Sequence, residues 1–219
     1  MKDKKWLGEA LILLVVLAPL VYLATVWNSL PEQVPLHWNI KGETDNYGSK
    51  WELLFVLGGM QLFTYLLFLL LPKIAAKRNN IKLMGSNFYK MRLLMQVFIS
   101  SLFVIILLAS ADIMDISVNT MIASVLAIFM LLFGNYMTSI RPNYFMGIRT
   151  PWTLANEKVW KKTHLLGGRL WVLAGIFGLL SLLILPNQIA FGVVIGLMVV
   201  PMLIASIYSF ILFKKLTHQ

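Results

Sequence analysis

The residues able to do chemistry are few. The chain has three histidines and no cysteine, which removes disulfides, thiolate metal sites and cysteine nucleophiles together. His37, Glu43 and Asp45 are donor types found in metal sites, but one imidazole with two carboxylates is a weak pattern. A simpler role for His37 is to donate to a backbone carbonyl or to Asp45 and so fix its own loop. Arg149, Glu157 and His164 fall near one another in sequence, yet they match no acid–base or nucleophile arrangement. Neither a His-Glu-x-x-His zinc helix nor a pair of aspartates in an apolar segment occurs. No catalytic residue, metal or other cofactor is nominated, and no enzymatic activity is expected.

The segment from Gly134 to Arg169 has the densest pattern. Thr150-Pro151 starts a helix well, with a hydroxyl cap followed by a proline where its missing N–H costs nothing. About twelve residues of amphipathic helix are expected to follow, with Trp152, Ala155 and Val159 on one face and Trp160 at its border. Such a helix would lie along the inner membrane surface, with its lysines toward anionic lipid. Gly167-Gly168 should end it. Ahead of it, Gly147 suggests a backbone turn that a side chain would obstruct. Arg149, with five donors and no acceptor, needs carbonyls or an acid such as Glu157 if it is partly buried.

The elements that must position these residues follow from composition. At 59% apolar and 13% charged, with a mean hydropathy of +0.78, the chain carries about half the charge of a soluble domain. It reads as all-α and polytopic. Uncharged runs span 10–31, 53–72, 93–111, 116–140 and 170–213. About 20 apolar residues cross a bilayer core, so the first four runs give one span each. The fifth is too long for one helix, and Pro186-Asn187-Gln188 should divide it into spans near 166–185 and 189–213. Six transmembrane helices result. The first is read as retained, because Thr25-Val26-Trp27-Asn28 lacks the small-residue pattern of a cleavage site.

Charge sets the orientation. Seventeen Lys and Arg residues fall on the side of the termini and two, Lys41 and Lys50, on the other. Basic short loops stay in the cytoplasm, so both termini are predicted to be cytoplasmic in a plasma membrane. The formal net charge of +10 then reflects topology and lipid partners, with no direct role for nucleic acid. The buried polar residues Gln61 and Gln96 are each expected to hydrogen-bond to a neighbouring helix. Gly175-x-x-Gly178 and Gly192-x-x-x-Gly196 offer close-packing faces. No ionisable residue lies in mid-span and no internal repeat is evident, which weakens a transporter reading.

Residues 28–52 form the sizeable outer loop. Pro31 and Pro35 extend the residues before them, and Gly42, Asp45, Asn46 and Gly48 are turn chemistry. The loop reads as a compact, ordered cap, with Trp27, Trp38, Tyr47 and Trp51 suited to an interfacial belt. Scaffold and receptor roles for this cap both remain open. Two regions follow: 1–92, which holds the cap loop 28–52, and 93–219, which holds the motif loop 134–169.

The run Met146-Gly147-Ile148-Arg149-Thr150-Pro151-Trp152-Thr153-Leu154, with Glu157, Val159 and Trp160, resembles the signature of the SdpI family. Gly134-Asn135 and Asn143 match its upstream part. Leu30-Pro31, Val34-Pro35, His37-Trp38, Gly42, Asp45 and Lys50 resemble the N-terminal domain of unknown function that often precedes it. The resemblance implies six helices and immunity to a secreted, membrane-active peptide toxin. For the founding member it also implies that the toxin-bound protein holds a transcriptional repressor at the membrane. Transport of a small molecule or lipid is the alternative, and a lipid-headgroup enzyme is a weaker one. The resemblance and the residue reading together nominate His37, Trp38, Gly42 and Asp45 outside. Inside they nominate Asn135, Asn143, Gly147, Arg149, Thr150, Pro151, Trp152 and Trp160.

Overall fold

A computed structural model describes residues 2–111 and 117–217. The connection between the uncharged runs 93–111 and 116–140 lies mostly outside them, and Gln219 lies wholly outside. The chain runs α1 (Lys2–Val26), β1 (Gln33–Trp38), β2 (Thr44–Ser49) and α2 (Lys50–Leu53), then a π-helical turn (Leu54–Gly58). It continues as α3 (Gly59–Ile74), α4 (Arg78–Lys82), α5 (Ser86–Ser110), α6 (Val118–Met137), α7 (Pro151–Ala155), α8 (Glu157–Ile184) and α9 (Asn187–Thr217). Among the described residues six helices are long and apolar enough to cross a membrane, with α2, the π turn and α3 forming one rod, Lys50–Ile74. Large apolar side chains such as Phe55, Phe63, Leu183, Ile184 and Ile207 point outward. Water would not tolerate that surface, whereas hydrocarbon does.

The helices pack most closely where side chains are smallest. A methyl group placed on Gly168 would stand 2.7 Å from the Gly134 carbonyl oxygen, and one on Gly134 2.8 Å from that of Gly168. One on Gly175 would stand 2.6 Å from the Ala127 carbonyl oxygen. These glycines let the α6 and α8 backbones touch, gaining dispersion contacts where lipid supplies no hydrophobic drive. Gly178 also faces Ala127, but a methyl group on Gly192 or Gly196 would meet nothing within 4 Å among the described residues, so the expected packing face on α9 does not form there.

Two expectations about the fifth span are overturned. Gly167-Gly168 does not end a helix: both lie inside α8, which begins at Glu157. Their missing side chains serve packing, since Gly167 faces Ile148 and Met137. Nor does a twelve-residue surface helix follow Thr150. α7 stops after one turn at Asn156, whose Oδ1 then accepts from Lys158 N (2.9 Å) and Val159 N (3.1 Å) to cap α8. Val159 and Trp160 are fully buried in the bundle and do not form an outward apolar face. The break between the last two spans falls where Pro186 predicts it, with α8 ending at Ile184 and α9 starting at Asn187.

The loop after α1 is ordered and is a two-stranded antiparallel hairpin, pairing Val34 with Gly48 and Pro35 with Tyr47. Alternation alone does not reveal the strands, because Pro35 and the turn-forming Asp45, Asn46, Gly48 and Ser49 interrupt the pattern. Val34 is its anchor, buried with Leu30, Leu53, Phe103 and Leu107. Ser49 and Glu52 close a capping box at the start of α2. Asn119 Nδ2 donates to the carbonyls of Asn39 (2.9 Å) and Ile40 (3.2 Å), fastening the hairpin tip to α6.

Candidate functional site

The inner-motif residues gather around a histidine. Leaving α6, the chain is held at Ile140, whose carbonyl accepts from Trp160 Nε1 at 2.7 Å. Asn143 is wholly buried and organises the next turn. Its Oδ1 accepts from Phe145 N (2.7 Å) and Met146 N (2.8 Å), and its Nδ2 donates to Arg141 O (2.8 Å). That is an Asx turn, in which a side chain stands in for backbone partners. Gly147 follows at φ +93°, where an L side chain is strained. A methyl group there would also stand 2.2 Å from His164 Nε2.

His164 clamps the loop onto α8. Ile148 N–H donates to its Nε2 at 3.0 Å, and its Nδ1 lies 2.9 Å from Trp160 O. A backbone N–H can only donate, so Nε2 is the acceptor and Nδ1 carries the proton. The ring stacks on Trp160 at 4.1 Å and 19°. The sequence alone offers His164 no catalytic partner and so gives it no role. Its position one turn beyond Trp160 was the available signal.

Thr150 then caps α7 through Thr153 N (3.2 Å), and its own N–H donates to Thr153 Oγ1 (2.9 Å). Thr153 Oγ1 donates to Ile148 O (2.8 Å), and Thr150 Oγ1 meets Ser209 Oγ of α9 at 2.8 Å. Pro151 occupies the first helical position, as expected. Trp152 packs on Phe210, ring centres 4.9 Å apart. The loop thus joins α6, α7, α8 and α9, and Asn80 Nδ2 donates to Pro142 O at 2.7 Å from the α4 side.

Two nominated residues stand apart. Arg149 is exposed and does not pair with Glu157: its guanidinium donates to Tyr144 O, while Glu157 pairs with Lys161 at 2.9 Å. Asn135 is exposed and lines a shallow groove with Arg169, away from His164.

At the opposite end, His37 Nδ1 and Asp45 Oδ1 meet at 2.5 Å, pinning the two strands together. Glu43 accepts from Asn39 Nδ2 instead (2.9 Å). Among the described residues no three His, Asp or Glu side chains gather as metal ligands. Gly42 holds the hairpin turn at φ +83°. Trp38 is half-buried near the hairpin tip, and Trp27 and Trp51 meet edge to face at 4.8 Å at the hairpin's base, where the chain enters α2.

Between this end and mid-bundle lies an open, mainly apolar cavity of about 690 Å³. It is walled by α1, α5 and α6 through Val15, Pro19, Ser100, Val104, Thr120 and Ser124, among others. Sequence reasoning did not find it, because its wall is ordinary span residues from three helices.

Six apolar helices with a self-bonded polar loop at one end and a hairpin at the other define a polytopic membrane protein. Residues 139–211 match the model of the SdpI/YfhL protein family, and residues 14–62 match a domain of unknown function, DUF1648. The family resemblance drawn from the motif is thereby shown. The chain is also 25% identical over 208 residues to "Immunity protein SdpI" of Bacillus subtilis (strain 168), covering 94% of this chain and 96% of that protein. No solved structure matches.

Proposed function

We propose that this is a non-enzymatic immunity protein that protects its cell from a secreted, membrane-active peptide toxin. The observation carrying this reading is the end-to-end match to a protein named for immunity. Chemistry agrees with it. The cavity is mainly apolar yet holds several hydroxyls, which suits a peptide that brings apolar side chains and a polar backbone out of lipid. The aromatic hairpin beside it would meet such a peptide first. In this reading both termini and the motif loop are cytoplasmic, in line with the distribution of Lys and Arg. The basic inner surface is then the face on which a transcriptional repressor would be held, and the motif loop is the element positioned to present it.

The test is survival. A toxin-sensitive host expressing the chain should tolerate at least about ten times more of a cognate peptide, an effect equivalent to ~1.4 kcal/mol of added discrimination. A host that dies at the same dose, with the protein present in its membrane, would contradict the proposal. Topology is tested separately on this cysteine-free chain. Lys41→Cys should react with an impermeant maleimide in intact cells, and Lys158→Cys only after permeabilisation.

A further inference from the structure

The interface of α1, α3 and α5 contains a polar column that the immunity reading does not use. At one end Arg92 holds Glu9 with two hydrogen bonds, at 2.9 Å and 3.1 Å, and Tyr65 donates to the same carboxylate at 2.9 Å. At the other end Pro19 has no N–H, so the carbonyl of Val15, four residues earlier, loses its helical donor. Ser100 Oγ supplies one at 2.8 Å and in turn accepts from Gln61 Nε2 at 2.5 Å. Arg92, Gln96 and Ser100 step along one face of α5 at four-residue intervals. Gln61 and Tyr65 do the same on α3. Gln96 is therefore bracketed by the two bonded layers.

Contrary to expectation, Gln96 bonds to no neighbouring helix. It is 1% exposed, and neither amide atom has a partner among the described residues. In the layers one turn to either side, Arg92 Nε and the Oε1 of Gln61, which bonds to Ser100 through its Nε2, are also buried and unsatisfied. A buried polar group without a partner is costly, and several in successive layers of one seam signal bound water.

We infer that this interface holds a buried water site of two molecules, one between Arg92 and Gln96 and one between Gln96 and Gln61. The donor–acceptor order fits. The first water accepts from Arg92 Nε–H and donates to Gln96 Oε1. The second accepts from Gln96 Nε2–H and donates to Gln61 Oε1. Each has two fixed partners, the minimum for an ordered buried water. An unbroken relay then runs from Glu9 through Arg92, Gln96, Gln61 and Ser100 to the Val15 carbonyl. Both Ser100 and Val15 also line the open cavity, so the relay fixes that wall.

The site is tested by melting the full chain in detergent micelles. If the amide is hydrated, Gln96→Leu removes partners from both waters and lowers the melting temperature by ~2–6 °C. Gln61→Leu should do the same, and the double variant should lose clearly less than the two single losses combined. If the amide is dry, Gln96→Leu relieves a burial penalty and the melting temperature rises or holds, which overturns the inference. Strict additivity also overturns it. Should the variants fail to fold, a high-resolution density map of the unaltered protein decides. Two peaks flanking Gln96 support the site, and a direct Gln96–Gln61 hydrogen bond refutes it.

Discussion

The α6–α8–α9 half and the α1–α3–α5 half solve helix association in opposite ways. In the first, Gly134, Gly168 and Gly175 bring backbones into contact, and a polar loop folds back on itself around His164. In the second, side chains hold the helices apart. Arg92, Gln96, Gln61 and Ser100 fill the seam, and an open cavity adjoins it. Close backbone packing leaves no room for variation and makes a rigid frame. A polar seam is held by fewer, directional bonds, and a cavity beside it can admit a guest. The frame presents the motif loop, and the seam supports the wall of the proposed peptide site.

Substitutions can break this contrast in a graded order. The largest effect is expected at Gly168→Leu, where the Gly134 carbonyl at 2.7 Å cannot yield. Overpacking should cost at least about 3 kcal/mol, read as loss of monodisperse folded protein on size-exclusion chromatography. Next comes Gly147→Ala, which combines a positive φ with a clash on His164 and should cost ~2–3 kcal/mol, seen as a lower melting temperature. His164→Ala leaves the Ile148 N–H buried without a partner, for ~1–3 kcal/mol. Hydrogen exchange at residues 141–150 should rise in that variant before any other segment.

Smaller effects sharpen the comparison. Asn119→Ala unfastens the hairpin tip and should cost ~1 kcal/mol, with faster amide exchange at 39–43 and unchanged exchange in α8. Smallest in stability is Arg149→Ala. The side chain is exposed and touches only the Tyr144 carbonyl among its hydrogen-bond partners, so the folded state should stay within about 0.5 kcal/mol of wild type. Its protective activity, in contrast, should be abolished. Normal membrane level with normal protection would remove Arg149 from the site.

Six spans were legible because apolar runs and the bilayer thickness leave little freedom, and a run of 44 uncharged residues, 170–213, is too long for one span and breaks at Pro186-Asn187-Gln188. The Thr150-Pro151 start was legible because capping is local. What escaped depends on distant partners. Gly167-Gly168 reads as a helix stop until α6 is known to lie against it, and then the same residues explain why α8 continues. Asn156 was unremarkable in sequence because its capping role appears only where α7 ends. Gln96 and Gln61 look alike as isolated amides in apolar runs, yet only Gln61 finds a direct partner, since Ser100 is opposite it. His164 has no catalytic partner nearby in sequence, and its role as a clamp depends on the Ile148 N–H, sixteen residues away.

The most direct test places a single cysteine in the cavity wall, at Ser101, and follows its alkylation in native membranes with and without a cognate peptide toxin. The account predicts that toxin slows labelling at Ser101→Cys and leaves a control cysteine on the lipid-facing side, at Leu183, unchanged. Equal labelling rates at Ser101→Cys in a cell that the variant still protects would show that the peptide is met elsewhere.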